Sequence, residues 1–343
     1  MVTRLASMKD IRALFLDKPD VTHAQIDAIF EKHGFSSSRS IRRLEETNFT
    51  NQIFVVETRV HGRVILKIQF RQSLGFSLQT EFIATRALRG TAGVPVSESL
   101  VYDSDGEPLA FECLLISDEP GEPGLRYYLD ASRSQRLRLG ALLGQTVAHI
   151  HSQQCPDELQ SLTERDLTSW EETIQDAMFG DEALVSSIAA TLPDLWSRLL
   201  VATDPIPEVR VPGDNVFLWG EAGLHNVLVE NGNSLRISNV HDFQSAGWGT
   251  AAHDLRQAEG EYVVKPGSEH FEPGYVDAFR SSYNAVIKKP LTELSPVEEK
   301  ILSIVTNLRG IRFFWDCGRL LHPKTPDFLS TAVSDIESLH GVC

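Results

Sequence analysis

The alternation of hydrophobic and polar positions predicts a short helix and then a sheet in the first third of the chain. Thr22 and Gln25 have the spacing of a capping box, and apolar residues follow on one helical face until Gly34. Runs rich in β-branched residues come next, and His61 and Gly62 between the first two predict a hairpin turn. The predicted strands cover residues 53–56, 64–66 and 111–116, and a predicted helix covers residues 79–88.

Beyond these strands the pattern becomes mainly helical. Residues 118–124, Asp-Glu-Pro-Gly-Glu-Pro-Gly, are rich in turn formers, so we expect a boundary here between two lobes, 1–117 and 118–343. An apolar stripe predicts a helix that runs into His151, and Pro296 after a capping serine predicts the start of a long helix. Short strands are predicted at residues 216–218, 227–229 and 235–237. The pattern therefore favours an α+β fold.

Composition and charge narrow the possible partners. The chain has 32 Lys and Arg against 47 Asp and Glu, a net charge of −15, which argues against binding to nucleic acid or to an anionic membrane surface. No stretch reaches the roughly 18 apolar residues of a membrane-spanning helix, and the N-terminus lacks the apolar core of a secretory signal. The four cysteines form no close pair, which disfavours a zinc cluster and a disulfide framework. We expect a cytoplasmic protein.

A lysine inside an apolar strand is the first candidate for chemistry. Lys67 lies in the run Val-Ile-Leu-Lys-Ile, and a buried ammonium group needs an anionic partner such as a carboxylate or a phosphate. Glu81, early in the next predicted helix, is the candidate carboxylate. The alternative is that the Lys67 side chain alternates outward on a half-solvated strand.

Two loops in the second half supply further polar groups. Glu221 and Asn226 lie in one loop between short strands, where the carboxylate could accept a hydroxyl proton and the amide oxygen could bind Mg²⁺. Asp242 follows the next strand and carries the oxygen ligands that a hard cation prefers. Taken alone, each loop could instead be a polar turn without function.

Taken in order, Lys67, Glu81, Asn226 and Asp242 resemble the site residues of the aminoglycoside phosphotransferase and choline kinase family, the small-molecule relatives of protein kinases. The resemblance covers about residues 40 to 260. It implies a bilobal protein-kinase-like fold with a small β-rich N-lobe and a larger, mainly helical C-lobe. ATP and Mg²⁺ would bind between the lobes, with Lys67 on the phosphates, Glu81 orienting Lys67, and Asn226 and Asp242 as metal ligands.

The resemblance implies further site residues. In the segment that joins the lobes, Ile116 and Asp118 would offer backbone groups to adenine. The loop that covers the nucleotide would contact phosphate through Thr47 or Asn48, although it contains no glycine. The resemblance also implies that Trp248, Asp254 and Glu259 would contact the small-molecule acceptor. The length and residues 167–170 also resemble the hygromycin-type antibiotic kinases.

The chain departs from the family at the catalytic motif. Trp219-Gly220-Glu221 occupies the position of the family's His-Gly-Asp, so the carboxylate is carried on one more methylene group. We expect an enzyme that moves the γ-phosphoryl group of ATP to a hydroxyl of a small molecule. The acidic balance favours a cationic, antibiotic-like or amino-alcohol acceptor. The alternative is a nucleotide-binding pseudokinase, because Glu221 replaces the catalytic Asp. The sequence indicates no oligomeric state.

Overall fold

The computed structural model describes most of the chain. The described residues are 18–35, 40–44, 50–71, 76–105, 107–162, 180–204, 215–232, 234–260, 263–264, 266–287, 296–318 and 321–340. The strands are β1 Ser40–Leu44, β2 Asn51–Glu57, β3 Arg63–Gln69, β4 Ser99–Asp103, β5 Glu112–Ser117, β6 Glu122–Pro123, β7 Asn215–Leu218, β8 Val227–Asn231, β9 Leu235–Val240 and β10 Gly247–Thr250. The helices are α1 His23–Lys32, α2 Leu78–Leu88, α3 Gly124–Asp130, α4 Arg133–His151, α5 Asp157–Leu162, α6 Glu182–Thr191, α7 Pro193–Ala202, α8 Ala252–Gly260, α9 Tyr275–Ile287, α10 Pro296–Gly318 and α11 Thr325–His340.

The first part of the chain is an antiparallel sheet covered on one face by α1. Its strands are ordered β1-β2-β3-β5-β4. Helix α1 begins with the predicted capping box, in which Thr22 and Gln25 satisfy each other's backbone amides. Its apolar residues Ile26, Ile29 and Phe30 are fully buried and pack against the sheet. This helix therefore removes one apolar face of the sheet from water.

The opposite face of the sheet carries Lys67. Strand residues alternate between faces, so Leu66 and Ile68 lie in the core beneath α1, whereas Lys67 lies on the other side. On that side Ile116 of β5 packs against Leu78 of α2. Lys67 is the one charged residue in the middle of β3, and the alternation therefore directs its side chain towards α2, the next helix in the chain.

The later part of the chain is built mainly from helices. Helices α4 and α9 pack closely because Gly140 and Gly144 present no side chain at their contact. A Cβ atom at Gly144 would collide with the carbonyl of Phe279. A second apolar core joins α6, α7, α10 and α11. The polar loops rest on the other core, in which Trp219 and Phe243 pack with residues of α4 and α9.

Two small sheets connect the helices to the loops that carry polar side chains. Strands β7 and β10 form one antiparallel pair, and β6-β8-β9 form the other sheet. The Ser238 hydroxyl in β9 donates to the Pro120 carbonyl at 2.6 Å, which fixes the segment after β5 against this second sheet. The β8–β9 hairpin and the connecting segment are therefore held together.

The α+β class is confirmed, and so are the elements predicted from periodicity. The predicted helix at residues 79–88 is α2, and the helix predicted to run into His151 is α4. The periodicity gave no indication of β10, a four-residue strand with two glycines. Among the described residues no helix has the length and hydrophobicity to span a bilayer. The lobe boundary between residues 117 and 118 stays a prediction, and residues 167–170 lie outside the described part.

Candidate active site

Lys67 and Glu81 form a buried ion pair between strand β3 and helix α2. The Lys67 Nζ atom lies 2.6 Å from Glu81 Oε1, and the two side chains are 6% and 1% exposed. The outward-facing alternative for Lys67 is therefore wrong. Burial alone would lower the pKa of the Lys67 amine, but the carboxylates of Glu81 and Asp242 outweigh it and raise the pKa. Lys67 is accordingly held as a cation.

The β8–β9 hairpin brings Asn226 and Asp242 to the same place. Val227 pairs with Val240 at the open end of the hairpin, and the His241 amide donates to the Asn226 carbonyl at 3.1 Å. Residues immediately outside a paired end remain close, whatever the length of the intervening strands. The wide sequence separation between the two predicted metal ligands is therefore accommodated by the hairpin.

Asp242 adopts a left-handed backbone conformation with φ of 64°. Aspartate tolerates this region better than most residues, but it still needs support from its surroundings. Part of that support comes from the indole of Trp219, which donates to the His241 carbonyl at 3.0 Å. The Asp242 Oδ1 atom is buried and accepts no hydrogen bond from the described residues. That oxygen is the kind of group that a cation would satisfy.

Glu221 lies close enough to Lys67 and Asp242 for their charges to shift the pKa of its carboxyl group. It follows Gly220, where φ is 92° and a Cβ atom would collide with the Ser245 carbonyl, so only glycine fits. The Asn226 Nδ2 atom donates to the Glu221 carbonyl at 3.0 Å, which leaves Oδ1 as the remaining group on that amide. Burial and then the Asp242 charge raise the pKa of the Glu221 carboxyl well above its usual value, against the opposing effect of Lys67.

The charges of this cluster leave room for a divalent cation. Three carboxylates, those of Glu81, Glu221 and Asp242, act on a single ammonium group, that of Lys67. Partly buried negative charge in excess is unfavourable unless a cation joins it. Among the described residues no group of three or more His, Cys, Asp and Glu is arranged as a metal site. Mg²⁺ does not need such a group, because it binds through one or two carboxylates with phosphates and water.

Asp254, which the resemblance assigns to the acceptor side, is buried against the loop that carries Glu221. It is fully buried, and its two oxygens accept the backbone amides of Trp219 at 2.7 Å and of Gly220 at 2.8 Å. His151 Nε2 lies 3.0 Å from Oδ2, and Tyr283 contacts the other nitrogen of that imidazole. Asp254 therefore fixes the backbone that precedes Glu221 and does not face an acceptor.

The ionised state of Asp254 is strongly favoured. Burial would raise its pKa, but the hydrogen bond with His151 and the nearby imidazole of His253, whose Nδ1 lies 3.6 Å from Oδ1, outweigh that effect and hold the pKa well below the usual range. We expect Asp254→Asn to destabilise the protein by about 3 kcal/mol, because an amide nitrogen would face a backbone amide in place of a carboxylate oxygen. Denaturant unfolding at neutral pH measures this loss.

A matched substitution controls for the chemical change itself. Asp277 is exposed in α9, and Asp277→Asn should leave the free energy of unfolding within about 0.5 kcal/mol of the original. A loss of similar size for both variants would contradict the anchoring role of Asp254.

The other predicted binding residues occupy varied positions. Glu259 is held by Arg280 through two contacts of 2.6 Å, and Trp248 pairs with Phe217 across the β7–β10 sheet. Asp118 is ion-paired with Arg63 beyond the end of β5. Acceptor contact by Trp248 or Glu259 and adenine contact at Asp118 stay predictions. Thr47 and Asn48 lie outside the described residues.

The anchoring group around Asp254 was not foreseen. His151 and Tyr283 contact each other at 2.8 Å, and both are distant in sequence from the loop that they support. The one available signal was the position of His151 at the polar end of an apolar helix, where a buried imidazole needs a partner. The sequence does not reveal which partner it has.

A comparison of the sequence with family models identifies a family to which this arrangement of site residues is suited. A sequence model described as the phosphotransferase enzyme family matches residues 40–286. The chain belongs to this family. Family membership makes it a phosphotransferase that acts on a hydroxyl group of a small molecule. Nothing in the comparisons supports the pseudokinase alternative, and none of the curated proteins matches the chain.

Solved structures of phosphotransferases share the fold at low sequence identity. The gentamicin complex of APH(2")-IIa is 14% identical with a TM-score of 0.61, covering 93% of this chain and 97% of that one. A putative aminoglycoside phosphotransferase from Ralstonia eutropha JMP134 is 13% identical with a TM-score of 0.59, covering 92% and 98%. APH(4)-Ia in ternary complex with ADP and hygromycin B is 14% identical with a TM-score of 0.53, covering 93% and 98%.

These likenesses confirm the protein-kinase-like fold. They do not support a special relation to the hygromycin-type enzymes, since that structure is no more similar to the chain than the other two. Because APH(4)-Ia holds ADP, the comparisons also support use of a nucleotide by the family.

Proposed function

We propose that this phosphotransferase moves the γ-phosphoryl group of ATP, bound with Mg²⁺, to a hydroxyl group of a cationic small molecule. The observation that carries the proposal is the buried Lys67–Glu81 pair of 2.6 Å, whose lysine also interacts with the charges of Asp242 and Glu221. We further propose that the cleft lies between the predicted lobes 1–117 and 118–343.

Lys67 is the group that would bind the phosphates. Its ammonium group is fixed by Glu81, so a phosphate oxygen that reaches Nζ meets a cation whose position is already determined. Such preorganisation stabilises developing charge without a cost of rearrangement during the reaction. Glu81 itself contacts no reacting atom in this scheme and acts through the orientation of Lys67.

Asn226 and Asp242 would hold the metal ion. The Asn226 amide is tied to the Glu221 carbonyl through Nδ2, and the buried Oδ1 of Asp242 has no donor among the described residues. When bound, Mg²⁺ neutralises charge on the transferring phosphoryl group and supplies Lewis-acid chemistry. The residues present therefore fit the ion that the family implies.

Glu221 would accept the proton of the acceptor hydroxyl on a carboxylate oxygen. A raised pKa brings the carboxylate closer to the working pH, which strengthens it as a base. Asp254 fixes the backbone at Trp219 and Gly220, so the start of the Glu221 loop cannot move freely.

The acceptor is proposed to carry amino groups. The net charge of −15 attracts cations over distances comparable to the Debye length. The related structures with bound gentamicin and hygromycin B show that the fold accommodates such antibiotics in other proteins. An antibiotic-like aminocyclitol or an amino alcohol therefore fits this chain better than an anionic acceptor.

Product formation tests the proposal directly. Purified protein is incubated with ATP and Mg²⁺ and a panel of amino sugars, aminocyclitols and amino alcohols, with anionic sugars as the matched negative set. We expect one or more cationic acceptors to gain the mass of a single phosphoryl group in an Mg²⁺-dependent reaction. Phosphorylation confined to the anionic set would contradict the acceptor class, and product formation that is unaffected by EDTA would contradict the metal site.

A further inference from the structure

A pair of buried amides connects the sheet to the loop that carries Asp242. Asn51 Nδ2 donates to Gln244 Oε1 at 3.0 Å, and the two residues are 0% and 2% exposed. Asn51 is the first residue of β2, and Gln244 lies two residues beyond Asp242. The contact thus spans 193 positions of sequence and ends next to the proposed metal ligand.

The same glutamine also holds helix α2. The Gln244 carbonyl accepts the amide of Ser77 at 3.1 Å, and Ser77 is the N-cap residue of α2. Glu81 lies in the first turn of that helix. Gln244, in the loop of Asp242, therefore connects two other parts of the site. Its side chain accepts a hydrogen bond from the start of β2, and its backbone carbonyl accepts one from the start of the helix that carries Glu81.

The amide at this position has an energetic cost. The Gln244 Nε2 atom is buried and has no hydrogen-bond partner among the described residues. An unsatisfied buried donor costs about 1–3 kcal/mol, whereas an apolar side chain of similar length would fill the same space without that penalty. Stability alone gives no reason for a glutamine here, whereas the hydrogen bonds that connect Gln244 to Asn51 and Ser77 beside Asp242 support a role in the site.

We propose that Asn51 and Gln244 are positioning residues that set the Asp242 carboxylate for a nucleotide-bound divalent cation. The bridge fixes the residue two positions after the left-handed turn at Asp242, and the Ser77 contact keeps that turn in register with Glu81. Neither amide contacts a reacting atom in this scheme. This inference rests on the proposed use of ATP and Mg²⁺. It adds Asn51, which is distant in sequence from Asp242, as a determinant of metal affinity.

The test separates positioning from simple packing by comparing single and double substitutions. Gln244→Met and Asn51→Leu each remove one partner with little change of shape and leave the other amide unsatisfied. The double variant removes both, and replacing both partners by apolar groups of similar shape is close to neutral for stability. A structural role would therefore recover fully in the double variant, whereas a positioning role would not.

The measured quantity is the metal dependence of ADP binding. Calorimetry gives the dissociation constant of ADP in excess Mg²⁺ and in EDTA, and thermal unfolding without ligand gives the stability of each variant. The ratio of interest is the dissociation constant in EDTA divided by that in excess Mg²⁺, which measures how much Mg²⁺ strengthens ADP binding. We expect each single variant to lose stability and to show this ratio reduced about tenfold. The double variant should regain stability but keep the reduced ratio. If a single variant does not fold, the double variant still gives this result.

Gln52→Met is the matched control. Gln52 is the neighbour of Asn51 in β2, is 1% exposed, and donates to the Pro19 carbonyl at 2.6 Å, away from Asp242. It should lose stability without any change in the metal dependence of ADP binding. A ratio that recovers together with stability in the double variant, or that changes equally in the control, would overturn the inference. An original protein that binds no ADP, or binds it without Mg²⁺ dependence, would instead overturn the proposed function.

Discussion

Asp242→Asn is expected to reduce phosphoryl transfer by about a thousandfold or more at saturating Mg²⁺ and ATP. The bound cation contributes several kcal/mol of charge stabilisation, and each 1.36 kcal/mol corresponds to a factor of ten in rate. The substitution keeps the shape of the side chain, but removes a negative charge from an oxygen that is buried and without a hydrogen bond among the described residues. The initial rate of phosphorylated product measures the loss.

Binding measurements distinguish the loss of the cation from the loss of the fold. Asp242→Asn should retain the ADP affinity that the original protein has in EDTA, and should lose the additional affinity that Mg²⁺ provides. Asp327→Asn, the same change at an exposed carboxylate in α11, should leave rate and affinity unchanged. If Asp242→Asn keeps more than a tenth of the original rate, Asp242 is not the metal ligand.

Glu221→Gln is expected to lower the turnover number by a factor of about 10² to 10⁴, the usual contribution of a general base. The Michaelis constant for ATP should change little, because Lys67, Asn226 and Asp242 are retained. Glu230→Gln is the matched control, since Glu230 is on the β8–β9 hairpin and pairs with Arg236. An unchanged turnover number in Glu221→Gln would remove the base from the scheme.

The pH profile gives this substitution a second readout. The base must be ionised to accept a proton, and the pKa of Glu221 is raised, so the rate should increase with pH through a value above that of an ordinary glutamate. This rising limb should be absent from Glu221→Gln. A rising limb that stays at the same pH in the variant would belong to another group.

Stability should change in the opposite direction to activity. A raised pKa in the folded state means that folding disfavours the ionised carboxyl, so protonation stabilises the fold at low pH and this contribution disappears as pH rises through the folded pKa. Glu221→Gln should therefore unfold at a higher temperature than the original protein at neutral pH. The difference should diminish as the pH falls from the raised folded pKa towards about 4, and it should be absent below that pH, where the glutamate is protonated in both states.

Local patterns were enough to predict elements whose stabilising contacts are close in sequence. The capping box at Thr22 and Gln25 closes within one helical turn, and it is present as predicted. The Lys67–Glu81 pair was also predictable, because a lysine in an apolar strand requires an anion and α2 follows shortly afterwards. In these cases the chemical need and its solution lie in neighbouring elements.

Contacts between distant elements could not be obtained in the same way. An aspartate at the start of a helix is compatible with a helix cap, an acceptor contact or a buried anchor, and only the fold shows that Asp254 accepts amides from residues 34 and 35 positions earlier. The bridge from Asn51 to Gln244 gave no sequence signal either, since both are ordinary polar residues in the chain. Residue type indicated the chemistry of the site, but the supporting hydrogen bonds depend on tertiary packing.

The β8–β9 hairpin has a consequence for how this chain tolerates insertions. Its open end is fixed by the pairing of Val227 with Val240 and by the bond from the His241 amide to the Asn226 carbonyl. Gly232 and Ser234 at the far end are exposed and bear no part of the proposed metal site, and exposed turns accept added residues more readily than the elements that they join. Natural insertions, or an engineered epitope, could therefore lengthen this turn while Asn226 and Asp242 keep their spacing.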